Sequence, residues 1–266
     1  MQVNLEEQIA GARAYEQLHV PALFEQWCPR LLDAAETDSG DRLLDVACGT
    51  GVLARHAAER VGPDGFVSGL DAGPGMLAVA AELAPHIEWK EGLAEVLPYP
   101  DDSFDAVCCQ FGLMFFGDRI KAIQEMVRVL RPGKKLAVSV WDSLERSEAY
   151  PEELDLLQRL AGDEAANALR APFVLGDKEA LAGLFEESGV EAVSVTTHNG
   201  TARFPSIRSL VEVDLRGWLP IMGVQLAEPL IQAILDEAEH ALARYRSPEG
   251  QAVFNAPAHI VTGIAA

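Results

Sequence analysis

The sequence predicts an α/β protein built on a doubly wound sheet of seven strands. Three observations carry this reading. From residue 42 onward, short apolar runs alternate with segments of helical period, the order that makes parallel strands joined by right-handed crossovers. The first run ends in an aspartate and a turn with two glycines, Leu43-Leu44-Asp45-Val46-Ala47-Cys48-Gly49-Thr50-Gly51, and a helical pattern starts at once. The chain has 266 residues, 49% hydrophobic and 23% charged, enough for one sizeable core.

Residues 1–39 read as helical and peripheral. Ala14, Tyr15 and Leu18 precede Pro21, and Leu23, Phe24, Trp27, Leu31 and Leu32 follow at helical spacing. A helix packed on the sheet and a lid both fit. Tyr15 and His19 lie one turn apart and share a face. Strands are expected at 42–46, 66–71, 87–91, 104–110 and 135–141. The helices between them are expected at 52–61, from Gly73-Pro74-Gly75 to Leu83, and from Asp118 to Leu130. Gly62-Pro63-Asp64-Gly65 and Arg131-Pro132-Gly133 punctuate the pattern. The second half is mainly helical, at 150–169, 177–188, 207–218 and 227–245. A sixth strand at 190–197, extendable to Phe204, and a last one at 259–265 complete the sheet. This divides the chain into an N-terminal helical segment (1–40), a ligand-binding core (41–142), and a remainder (143–266) that finishes the sheet and adds a helical cap.

Twenty-one Lys and Arg against 41 Asp and Glu give a net charge of −20, a field that repels phosphate backbones and anionic lipid surfaces. Nucleic acid and membrane partners are therefore not expected. Cys28, Cys48, Cys108 and Cys109 form no C-x-x-C pair and no metal-ligand spacing, so reduced thiols and no metal site are expected. The N-terminus shows no signal-peptide pattern and no apolar run approaches a membrane span, which points to the cytoplasm. Oligomeric state stays open between monomer and homodimer.

The glycine turn carries the chemistry. Its residues let a ligand approach the backbone, and the helix behind it offers unpaired N–H groups at its N-terminus. Asp71 ends the second strand, 20 residues after Gly51, where a doubly wound sheet faces the sugar of a bound nucleoside. Gly49-x-Gly51-x-x-Ala54 also satisfies a loose dinucleotide fingerprint. Asp45 argues the other way: before the loop it would repel a pyrophosphate and attract an ammonium group.

With these features the chain resembles class I S-adenosylmethionine-dependent methyltransferases, in the branch with the ubiquinone and menaquinone enzymes. The likeness covers about residues 42–141. It rests on the Asp45–Gly51 segment, on Asp71, on Leu97-Pro98-Tyr99-Pro100-Asp101-Asp102-Ser103-Phe104-Asp105, similar to the family's LPFPDxSFD, and on Arg131-Pro132-Gly133-Lys134, similar to RPGG. The resemblance implies a Rossmann-like sheet with an antiparallel last strand, and S-adenosyl-L-methionine as the methyl donor. It further implies that Asp45, Ala47, Gly49 and Gly51 surround the methionine and ribose portions and that Asp71 accepts the ribose hydroxyls. Ala72 and Met76 would pack on the adenine. Gln110 would lie beside the methionine portion. Gly92-Leu93-Ala94-Glu95 departs from the usual GDAE, so Leu93 removes an acceptor for the adenine amino group while the Ala94 N–H remains.

Methyl transfer needs alignment of the acceptor and exclusion of water, and a base only where the acceptor must lose a proton. No base announces itself. Tyr15, His19, Asp142 and Arg216 are the candidates, with Trp141 and Trp218 beside them. An apolar cap suggests a small hydrophobic or aromatic acceptor. Two other classes compete: a nicotinamide- or flavin-dependent oxidoreductase on a similar sheet, and a non-catalytic cofactor-binding protein.

Overall fold

A computed structural model describes residues 4–265; residues 1–3 of the N-terminal segment and residue 266 lie outside the described residues. Asn4 and Glu7 form a reciprocal capping box that starts helix α1 (Leu5–His19). Pro21 has no N–H to continue the ladder, and the chain widens into a π turn, Val20–Phe24. Val20 N–H reaches back five residues to Tyr15 O, and Glu25 N–H to Val20 O. A 3₁₀ turn, Glu25–Trp27, then leads into α2 (Cys28–Ala34).

The alternating core follows. β1 (Arg42–Val46), α3 (Val52–Val61), β2 (Phe66–Asp71), α4 (Pro74–Leu83), β3 (Glu88–Glu91), β4 (Phe104–Gln110), α5 (Arg119–Val129) and β5 (Leu130–Trp141) match the expected elements within a residue, except where β5 begins. The sheet order is β3-β2-β1-β4-β5-β9-β6, with β6 (Glu191–His198) and β9 (Ala258–Ile264). Six strands run parallel, and β9 pairs antiparallel with both β5 and β6. Successive residues of the central strands point to opposite faces. Leu43, Ala106, Cys108 and Ala137 pack under α2 and α3, whereas Leu44, Val107, Cys109 and Val138 join the core shared with α5 and the cap. Both faces are covered, so these strands read as continuous apolar runs.

Three boundaries differ from expectation. Arg131-Pro132-Gly133 does not separate helix from strand. Leu130 already pairs with Phe104, and the next pairing is Lys135 with Ala106, so the intervening residues bulge from a strand in progress. Gly133 supplies the φ of +74° that the excursion needs. The bulge is held by Asp105, which meets Arg131 at 2.6 Å and Lys134 at 3.8 Å and whose carboxyl is lowered from the usual range by its hydrogen bonds and these cations. The expected helix over 150–169 is two, α6 (Tyr150–Ala161) and α7 (Asp163–Arg170), because Gly162 sits at φ +86° between them. The sixth strand stops at His198. A Cβ on Gly200 would lie 2.3 Å from the Trp27 ring, and this tight corner turns the chain into a separate hairpin. That hairpin pairs β7 (Thr201–Phe204) with β8 (Ala252–Asn255), a strand without a sequence signal.

α8 (Lys178–Glu187), capped by Asp177, packs beside β6. The cap is formed by α6, α7, α9 (Ile207–Val213), a second π turn (Asp214–Trp218), α10 (Leu219–Ile221) and α11 (Glu228–Ala241). Among the described residues no helix is long and apolar enough to cross a membrane.

Candidate active site

The site is organised at the carboxyl end of β1. Ala47, Gly49 and Gly51 all have left-handed φ, of +57°, +55° and +83°, so the chain folds back on itself before α3. The two glycines serve different neighbours. A Cβ on Gly49 would meet only Tyr15 Cε1, at 3.9 Å, whereas a Cβ on Gly51 would lie 2.3 Å from the Trp89 indole. Gly51 therefore makes room for protein rather than for a ligand. Asp71 closes the loop from β2: one oxygen accepts Gly49 N–H at 2.8 Å and the other accepts Gly73 N–H at 2.7 Å. Burial raises its carboxyl above the usual range against these hydrogen bonds, and each oxygen keeps a lone-pair direction for a further donor.

Asp45 is 1% exposed, and neither carboxylate oxygen has a hydrogen-bond partner among the described residues. Desolvation pushes it well above the ordinary carboxylate range and the Asp71 charge adds to this, with the Ala54 backbone N–H and the Arg55 charge opposing. A buried acid left without a donor is costly unless something cationic or protonated meets it. Gln110, at the end of β4, donates weakly to Phe24 O at 3.4 Å and leaves its own carbonyl oxygen unpartnered. Ala72 is exposed and Met76 half-buried at the start of α4. Leu93 stands 59% exposed after β3, with Ala94 buried beside it.

α1 lies over this loop and along α4. Glu16 accepts from Thr50 Oγ1 at 2.5 Å and from Arg55 Nη2 at 2.6 Å, and Arg13 pairs with Glu82 at 2.9 Å. Tyr15 stacks on His19 (ring centroids 5.3 Å apart) and packs on Phe24 (5.5 Å). Burial, and then the charges of Asp71 and Glu16, push its hydroxyl far above the ordinary phenol range. Phe111, held at φ +56°, stacks on Trp141 at 4.0 Å, with Phe24 and Trp27 packed around the pair. An aromatic wall thus stands at the ends of β4 and β5, under the N-terminal segment.

The structure separates the four candidate bases. Tyr15 adjoins the glycine loop, and His19 stacks on Tyr15. Asp142 is turned away from it: it accepts Ser143 N–H at 2.7 Å, lies 3.2 Å from His259 Nε2, and locks the end of β5 to β9. Arg216 is held on the surface by Glu212 at 2.9 Å and Glu228 at 2.8 Å. Its neighbour Trp218 donates to Ala168 O at 2.8 Å and packs on Phe115. Sequence reasoning missed Glu16, Thr50 and Arg55, because their pairing joins elements whose approach no periodicity encodes. It also missed Glu153 and Asp214, two buried acids in helical segments, where charge usually marks a solvated face.

A family model described as methyltransferase domain matches residues 43–133. Residues 43–133 are thus similar to a methyltransferase domain. Over 126 residues it is 38% identical to the demethylmenaquinone methyltransferase of Listeria welshimeri, covering 46% of this chain and 51% of that one. Over 107 residues it is 44% identical to the chloroplastic 2-phytyl-1,4-beta-naphthoquinone methyltransferase of Arabidopsis thaliana, covering 37% and 41%. The chain therefore spans about half the length, or less, of these relatives. A solved Haemonchus contortus phosphoethanolamine N-methyltransferase 2, in complex with S-adenosylhomocysteine, covers 98% of this chain with a TM-score of 0.61. At 18% identity, with 60% of that chain covered, this likeness speaks for the fold.

Proposed function

We propose that the protein transfers a methyl group from S-adenosyl-L-methionine to a small hydrophobic or aromatic acceptor. The observation that carries this is Asp45, buried without a donor directly behind the glycine loop. A pyrophosphate there would meet a buried acid, whereas a ligand bearing ammonium and sulfonium charge brings it a cation. The oxidoreductase alternative fails on that ground, and the family match supports the methyl-donor reading.

When bound, the cofactor supplies a methyl group on a positively charged sulfur. Asp71 would hold the ribose hydroxyls with its remaining lone pairs, the Gly49 loop would approach the sugar, and Gln110 would offer its free carbonyl to the methionine portion. Ala72 and Met76 would flank the adenine. With Leu93 unable to accept a hydrogen bond, the Ala94 N–H would be the polar contact on that side. The N-terminal segment (1–40) acts as a lid clamped through Glu16, and residues 143–266 cover the acceptor. Water exclusion by these two elements is the main contribution of the chain's own residues. The aromatic wall of Phe24, Phe111 and Trp141, and the naphthoquinone relatives, favour an aromatic acceptor. A cytoplasmic protein, monomeric or homodimeric and not engaged with nucleic acid or membrane, fits the net charge of −20.

Titration calorimetry tests the proposal. S-adenosylhomocysteine should bind wild type, and D71N should weaken it by at least about tenfold through loss of a charged acceptor. Binding of NAD(H) without S-adenosylhomocysteine binding would overturn the reading.

A further inference from the structure

The π turn Asp214–Trp218 packs against the end of α1 at one imidazole, immediately before the π turn Val20–Phe24. His19 ends α1 immediately before the first π turn, Val20–Phe24. Its Nε2 lies 4.0 Å from Asp214 Oδ1 in the second π turn, and its Cε1 would be 3.8 Å from a Cβ on Gly217 in the same turn. Its Nδ1 is buried and has no partner among the described residues. Tyr15, stacked on the imidazole ring, is the side chain that reaches toward Gly49 in the glycine loop. One ring nitrogen thus faces an acid while the other is left bare, one stacking distance from the place where the methyl donor would sit.

Behind Asp214 stands a second acid. Glu153 of α6 is 0% exposed and Asp214 is 6% exposed. Both oxygens of Glu153 and Oδ2 of Asp214 meet no donor among the described residues. The two carboxyl groups interact with each other, which requires one of them to hold a proton. Burial and the Asp214 charge push Glu153 well above the ordinary range, so Glu153 is the one that holds it. Tyr150, also on α6, faces the same pair, and both acids raise its hydroxyl further above the phenol range. Widened helical turns recur at functional sites, where they re-aim side chains, and here one follows His19 directly while the other presents Asp214 to it.

We propose that His19 is the base that takes the proton of the group being methylated, that Asp214 positions it, and that the acceptor is a hydroxylated aromatic, a phenol or hydroquinol. This rests on the methyl-transfer reading above. The O–H proton passes to His19 Nδ1. The oxygen, or the ring carbon conjugated with it, donates the electron pair for the new bond to the methyl carbon. The carbon–sulfur bond breaks with its pair left on sulfur, which loses its positive charge. Attack through carbon leaves a ring hydrogen that returns to the oxygen. The imidazolium formed is met by Asp214, and Glu153 lends its proton to no other group, keeping Asp214 oriented.

Long-range ¹H–¹⁵N spectra of the ligand-free protein, with His19 assigned by its loss in H19Q, read the arrangement directly. The expected result is a single neutral tautomer with Nε2 protonated and Nδ1 bare. D214N should convert it to a mixture, and D214E should restore it. A Nδ1-protonated ring, or a D214N spectrum unchanged from wild type, would overturn the proposal. Calorimetry with S-adenosylhomocysteine separates the two readings, since H19Q and D214N should bind it within about twofold of wild type while the catalytic step is lost. Failure of wild type to bind it would sink the methyl-donor reading and leave the tautomer result standing. With 1,4-naphthohydroquinone held reduced as acceptor, H19Q should lower kcat by about 10²–10⁴-fold, the usual contribution of a positioned base. Equal turnover by wild type and H19Q would also overturn the proposal.

Discussion

At the scale of single residues, the structure distinguishes side chains that look alike in sequence. Gly49 and Gly51 share a turn, yet only Gly51 is pressed against Trp89. Gly51→Ala should therefore cost about 2–4 kcal/mol, from the left-handed backbone and the overpacking together, whereas Gly49→Ala should cost about 1 kcal/mol. Urea denaturation measures both. Combining G51A with Trp89→Leu should recover at least about 1 kcal/mol, the coupling expected of residues in contact; purely additive losses would show that Trp89 is not the obstacle. Glu153 offers a second case. Its pKa is raised in the folded protein, so between the ordinary value and the folded one the unfolded chain releases a proton that the native state keeps. Stability contributed at this site therefore falls as pH rises through that window. Glu153→Gln removes the ionisation, and its advantage over wild type in urea melts should be absent near about pH 4 and grow toward about pH 8. An advantage independent of pH would mean that Glu153 is not held protonated.

At the scale of elements, the first helix and the bulged strand carry the site. α1 is clamped to the glycine loop and α3 through Glu16, Thr50 and Arg55, with geometry short enough for charge-assisted hydrogen bonds. If α1 is a lid, Glu16→Gln should loosen it without unfolding the sheet. The expected signature is faster proteolysis within α1 and an approximately three- to tenfold weaker affinity for S-adenosylhomocysteine, about 1 kcal/mol, the worth of one such bond. Unchanged proteolysis and affinity would make α1 a fixed wall. β5 shows how a turn signal can mislead. Arg131-Pro132-Gly133 looks like the end of one element and the start of another, yet the strand is already paired at Leu130, because Arg131 and Lys134 can both reach Asp105 only from a bulge.

At the scale of the whole molecule, ligand binding and stability are linked. At a concentration of 100 times the wild-type Kd, S-adenosylhomocysteine should stabilise wild type by about 2.7 kcal/mol, and D71N should lose about half of that gain or more; a thermal-shift titration reads both. The alternating half of the chain was legible from residue 42 to Trp141 because a parallel sheet buried on both faces imposes apolar runs and helical periods that local sequence cannot hide. The placement of Asp45 and Asp71 at strand ends, and of Gly49 and Gly51 in the turn between β1 and α3, was legible for the same reason. The cap was legible only as helical material. Its break at Gly162 and its hairpin of β7 and β8 depend on what packs against them. Composition and pattern by themselves determined the sheet, the turn at its centre and the acid that ends β2. Tertiary structure alone decided that Asp142 and Arg216 are spent on the scaffold, and that His19 meets Asp214, nearly two hundred residues away. Local sequence encodes periodicity and backbone preference, whereas the pairing of distant charges is set by how helices cross, and that is written only in the packed core.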